Sequence, residues 1–354
     1  MSNNPITKQP WLGKPAIDIL FILLPPFVSL LFIVLFPALF RNNKEMPDHW
    51  WVVLILLVDV AHVYSTLYRT YFDKTTYKQQ RTLLYLIPAL GFVAGVLLYT
   101  AGSMIFWSIL AYLAVYHFVR QQYGFMRLYS RKEQVPLWMK RVDKLTIYSA
   151  TIYPLLYWHL GSGRNFNWFV EGDFLHAEAR GLLNIITIVY FLLVAFYLIK
   201  EIYLIVISGT VNAPRIAVIA GTLLSWYFGI VYFNGDMAFT LLNVVSHGVP
   251  YMALVWIYGK KQQEQAINGR NLRLFFGRYG ILLFLGLIFL LAYIEEGFWD
   301  MAVWKERREV FSVFHLTPLT LSDTALAVIV PLLALPQITH YVIDGFIWKI
   351  KRES

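Results

Sequence analysis

Apolar residues run in long stretches along the whole chain, separated by short polar or basic turns. Ten of these stretches are long enough to cross roughly 30 Å of hydrocarbon at about 1.5 Å per helical residue. They cover 17–40, 50–72, 82–100, 103–127, 144–161, 181–207, 214–234, 236–258, 279–296 and 324–348. The pattern predicts an all-α fold: a polytopic transmembrane helical bundle of about ten spans, built as one integral membrane domain over residues 1–354. No internal repeat, low-complexity segment or linker divides it. The run at 144–161 is short and polar at its end, and 214–234 and 236–258 form a tight pair. Pro25–Pro26 is expected to kink the first span.

The first apolar run is preceded by a polar stretch and is about 24 residues long, beyond the roughly 7–15 of a signal-peptide core. Ile17–Phe40 is therefore expected to be a retained helix. Basic residues then test the count of spans. With ten spans, one side of the membrane receives 21 of the 30 Lys and Arg and the other receives 7, with Arg69 and Arg120 inside spans. Basic residues concentrate on the cytoplasmic side of membrane proteins. Both termini are therefore expected in the cytoplasm, with the protein in the inner or plasma membrane if its source is bacterial.

Composition adds what the pattern cannot. Only 14% of the residues are charged, against 58% apolar, and mean hydropathy is +0.56. The net charge of +9 is carried mostly by short flanks such as Arg131–Lys132, Lys140–Arg141, Lys260–Lys261 and Lys349–Arg352. Topology signals and contacts with anionic lipid account for them without a nucleic-acid partner. Many of the 12 Trp and 23 Tyr lie near the ends of apolar runs, where interfacial belts form. There is no cysteine, which excludes disulfides, thiolate metal sites and a cysteine nucleophile.

Ionisable residues inside spans are costly and usually face a protein interior. Four spans carry a dense set, and in each the spacing follows a helical face. Asp59, His62, Thr66, Arg69 and Asp73 form one stripe. His117, Arg120, Gln121 and Gly124 form a second, and Asn243, Ser246, His247 and Tyr251 a third. Gln337, His340, Tyr341, Asp344 and Trp348 form the fourth. All four spans run in the same direction across the membrane. Their histidines come about 12, 14, 11 and 16 residues from the same face, a depth of roughly 16–24 Å. Four imidazoles at one depth converge if the helices meet.

Clustered buried imidazole is a ligand set for iron, copper or zinc. His62, His117, His247 and His340 are the expected metal ligands. Asp59 and Asp344 are candidate partners that orient His62 and His340, or further ligands. Arg69 and Arg120 are candidates for holding a lipid phosphate or carboxylate, with snorkelling to the interface as the alternative. Asn243 is a candidate partner of His247. His49, His176 and His315 lie in loops on the opposite side and are given no role.

Histidines clustered on separate spans resemble, in outline, the layout of intramembrane carotenoid-cleaving dioxygenases and membrane fatty-acid oxidising enzymes. That resemblance implies non-haem iron and oxygen chemistry on a lipophilic substrate near the midplane, with membrane lipids and a redox partner as partners. The HxxxH and HxxHH spacings of desaturases and hydroxylases are absent from this chain. Three alternatives stay open: a metal-free lipid-modifying transferase with a histidine base, a haem protein with axial histidines, and a proton- or ion-coupled transporter. No nucleotide, flavin or phosphate loop is present.

Overall fold

In the computed structural model, the described residues are 9–41, 46–265, 272–315 and 319–348, and among them there is no strand. Lys349–Arg352, counted above among the basic flanks, lie outside the described residues. The principal helices are α1 Pro15–Leu23, α2 Pro25–Leu35, α3 Asp48–Arg69, α4 Lys74–Ala101, α5 Ser103–Tyr129, α6 Leu137–Leu160, α7 Arg180–Ser208, α8 Ala213–Tyr232, α9 Asp236–Glu264, α10 Gly280–Trp304 and α11 Asp323–Ile347. Eight of them, α3–α5 and α7–α11, are long and apolar enough to cross a membrane. The chain thus fits a multi-pass integral membrane protein.

The two remaining expected spans take different forms. α1 and α2 meet at a bend of 52°, where Pro25 and Pro26 supply no backbone N–H to the preceding turn. They make a ninth apolar span if the bent pair is one crossing. α6 has 24 residues, enough length, but Lys140, Arg141, Asp143 and Lys144 keep it out of the apolar set.

Several helices begin or end outside the apolar runs, because polar turns continue them. α4 starts at Lys74, where the Asp73 side chain accepts from the Thr75 and Thr76 backbone N–H groups, an N-cap. α7 ends at Gly209, whose left-handed φ of 61° costs a glycine nothing.

The chain forms two compact units. The first comprises Met1–Glu45 and Phe118–Ala253, the second Met46–His117 and Leu254–Ser354. In the first unit, Trp158, Phe166 and Phe239 pack edge to face and stacked, and Tyr153 stacks on Tyr190 at 4.1 Å. The ring of Pro26 lies where a Cβ on Gly221 would sit, so α2 and α8 approach closely. The same unit holds a buried ion-pair network. Lys200 and Arg215 flank the α7–α8 turn, yet they are 2% and 1% exposed. Lys200 donates to Asp143 at 2.5 Å and also pairs with Glu201. Arg215 donates to Asp143 and to Glu201, each at 2.8 Å, and its Nε lies 3.0 Å from Glu133. Glu133 sits in the loop before α6; burial raises its carboxyl pKa while the Arg215 guanidinium pulls it down.

In the second unit, Tyr68 of α3 stacks on Phe284 of α10 at 4.6 Å. Leu84 of α4 packs with Ile343 and Ile347 of α11. Gly91 and Gly95 on α4 face Ile338 and Pro331 of α11, so these two helices run close together. By contrast α4 and α7 present long apolar faces outward: the α4 window is 11% buried and the α7 window 17%, against 89% for α9. Such exposed apolar surface matches hydrocarbon as the solvent.

Candidate metal centre

α3 changes pitch just before its histidine. Val52–Val60 is π-helical and Ala61–Arg69 is α-helical. π segments inside longer helices occur frequently at functional sites. Asp59 lies on the last π turn and His62 on the first α turn. They stand three residues apart, with the Asp59 carboxylate 3.8 Å from His62 Nδ1.

The other two histidines of this unit come from α5 and α11. The His117 and His340 rings are 4.4 Å apart between centroids, and the His62 and His340 rings 4.9 Å. All three side chains are buried, at 1–2% exposed. Their Nδ1 atoms share a common kind of environment. His117 Nδ1 lies 3.8 Å from Asp344 and His340 Nδ1 lies 3.9 Å from the same carboxylate. The Thr66 hydroxyl lies 2.7 Å from His340 Nδ1. The carboxylates put negative charge beside the three Nδ1 atoms at distances beyond a hydrogen bond, and only the Thr66 hydroxyl is within bonding distance, at His340.

His247 on α9 is fully buried, stacked at 3.5 Å on Phe118, and its backbone carbonyl accepts from Gln121 Nε2 at 2.8 Å. Within the second unit, His62, His117 and His340 each offer a ring nitrogen, and these atoms lie within 4.8 Å of one another. Two nitrogens bound to one ion at about 2.1 Å stand at most about 4.2 Å apart. The three are therefore within a small contraction of a coordination shell. Buried histidines so placed can hold a metal ion.

The remaining sequence candidates fall in separate places. Asp344 faces both His117 and His340, where the sequence paired it with His340 alone. The Arg69 guanidinium is held inside its own unit by Asp73, Thr76 and the Ile347 carbonyl, over the Tyr258 ring. Arg120 is exposed, donates to the Tyr148 hydroxyl at 2.5 Å and lies over the Tyr123 ring. Asn243 is buried and its amide donates back to the Phe239 carbonyl at 2.9 Å.

Sequence reasoning missed two acids, Glu295 and Glu296 on α10, which are 5% and 8% exposed. Glu295 accepts from Gln337, one turn ahead of His340, and from the Trp299 ring N–H at 3.3 Å. The signal was present: an acid pair closes an otherwise apolar run at 281–294. It looked like the end of a span, whereas the helix continues to Trp304.

No protein-family model, curated protein or solved structure matches this chain. The site therefore carries the functional reading.

Asp344→Asn keeps the shape of the side chain and removes its charge. Bound metal is expected to weaken by about 10–100-fold, the usual cost of losing a carboxylate behind a ligating histidine. Metal titration of the purified protein measures it.

Proposed function

We propose that this protein is a membrane metalloenzyme, a non-haem iron oxidoreductase acting on a lipophilic substrate that reaches the site from the bilayer. The observation that carries the reading is the convergence of three buried histidine nitrogens within 4.8 Å in the second unit, from three separate helices. A donor set made only of imidazole suits iron, copper and zinc. Iron supplies, when bound, the one-electron chemistry that activates oxygen, which suits a thiol-free site within an apolar protein. His62, His117 and His340 hold the ion, with His247 the fourth ligand that the sequence expects. Asp59 and Asp344 carry the negative charge nearest their Nδ1 sides, and the Thr66 hydroxyl bonds His340 Nδ1.

The compactness of the group favours a bare ion over haem. A porphyrin takes axial nitrogens from opposite faces of its ring, which leaves no place for three imidazole nitrogens within 4.8 Å of one another. In the proposed topology there are ten spans with both termini in the cytoplasm, in keeping with the distribution of basic residues. The electrons come from a redox partner on that side.

Elemental mass spectrometry of detergent-purified protein, with an absorption spectrum of the same sample, tests the reading. About one iron per chain without a Soret band is the expected result. Folded protein without any metal overturns it, and a Soret band replaces it with haem.

A further inference from the structure

Pro250 falls inside α9. It brings no backbone N–H, so the Ser246 carbonyl, four residues earlier, loses its helical donor. Gln122 of α5 stands in for that donor, with Nε2 3.4 Å from the Ser246 oxygen. The contact is longer than an ordinary hydrogen bond. The Ser246 hydroxyl is worse served. The residue is 7% exposed, and among the described residues its Oγ has no hydrogen-bond partner. A serine inside a helix commonly donates back to the carbonyl four residues earlier, and this one does not. A buried hydroxyl without a partner keeps the full cost of leaving water.

Ser246 lines a small cavity within the first unit, together with Gln122 of α5 and Thr222 and Ser225 of α8. The ring of Pro26, seated against Gly221, lines it from α2. Hydrogen bonds among these side chains fall short of what the groups can make. Thr222 has one hydroxyl proton for two acceptors, the Val218 carbonyl at 2.8 Å and Gln122 Oε1 at 3.0 Å. Whenever Val218 takes it, Gln122 Oε1 is left without a donor. The Ser225 hydroxyl lies 3.4 Å from the Thr222 carbonyl, another long contact. The space between them offers about 10 Å³ to the centre of a water molecule, room for one water and not for two.

We propose that this cavity binds a single water molecule, which bridges Ser246 Oγ to Gln122 and ties α9 to α5 and α8 at the proline break. The water accepts from the Ser246 hydroxyl and donates one proton to Gln122 Oε1. Its second proton goes to a lone pair of the Thr222 or Ser225 hydroxyl. That makes three bonds, the usual number for a buried water. Charge decides the class of ligand. No ionisable side chain lines the cavity, so a sodium or potassium ion there would be a buried charge without a partner. Size excludes larger solutes. A bridging water is nearly as favourable in enthalpy as a direct hydrogen bond, and so makes up for the donor that Pro250 removes. The site does not rest on the metal reading above.

A crystal or electron-microscopy structure of the parent protein, at a resolution that shows ordered water elsewhere in it, tests the site. A density peak within about 3.2 Å of both Ser246 Oγ and a Gln122 side-chain atom is expected. Ser246→Val removes the hydroxyl and fills the space with a methyl group, so the peak is expected to be lost. No peak in the parent overturns the proposal, and so does a peak that persists in Ser246→Val. A peak whose oxygen contacts all fall below about 2.5 Å, too short for water, overturns it in favour of a cation. Radiolytic hydroxyl-radical labelling reads the same water in detergent. Phe125 lines the cavity and Phe284 does not, and both are buried. Label on Phe125 but not on Phe284 is expected in the parent, with the Phe125 label lost in Ser246→Val. Should that variant fail to fold, the parent alone decides: an unlabelled Phe125 overturns the water.

Discussion

Replacing any one of His62, His117, His247 or His340 with alanine is expected to cut bound metal at least tenfold while leaving the protein inserted and folded. Loss of an outer carboxylate already costs about 10–100-fold in metal affinity, and a ligand contributes more than the group that orients it. The His62, His117 and His340 nitrogens lie within 4.8 Å of one another, and His247 is the fourth ligand that the sequence expects. His176→Ala and His315→Ala serve as controls. His176 is exposed, and His315 bonds Asp300 on the loop side of α10. Metal bound per chain, measured beside a thermal unfolding curve, reads both arms. Equal losses across all six variants would mean that metal binds nonspecifically and that the histidine group is a packing feature.

Arg215→Ala is expected to be the most destabilising single change in the protein, by about 3–5 kcal/mol. Arg215 is 1% exposed and contacts Asp143, Glu201 and Glu133. Its removal leaves Asp143 and Glu201 to Lys200 and leaves the Glu133 side chain to the Asn212 amide among the described residues, so uncompensated negative charge stays buried. Breaking a buried pair from one side is far more costly than the net worth of the pair. Arg120→Ala, at an exposed site, is expected to change stability by less than about 1 kcal/mol. The melting temperature of the detergent-solubilised protein compares them. Similar melting of both variants would show that water or lipid headgroups reach Arg215.

The helices themselves were legible because lipid imposes a simple demand. Every backbone polar group must be satisfied within its segment, so long apolar runs become helices, and eight of the ten expected spans stand as such. α6 escapes the apolar class because Asp143 and its neighbours serve the ion-pair network instead of facing lipid. Lys200 and Arg215 looked like flanking charges for the same reason. A basic residue near the end of an apolar run reads identically whether it faces headgroups or a buried carboxylate.

By itself, the sequence determined that the chain is helical and apolar, and it set out the expectation that four histidines share a depth. Periodicity sets which face of a helix a residue occupies, and rise per residue sets how deep it lies. Neither quantity says which helix packs against which face. Only the tertiary structure decided that Asp344 of α11 lies near His117 of α5 as well as His340, that Thr66 reaches across to His340, and that Glu295 of α10 accepts from Gln337 of α11. These are contacts between residues far apart in the chain, and their existence depends on helix neighbours and on rotation about each axis. Those are settled by side-chain packing summed over whole helices, to which no single stretch of sequence has access.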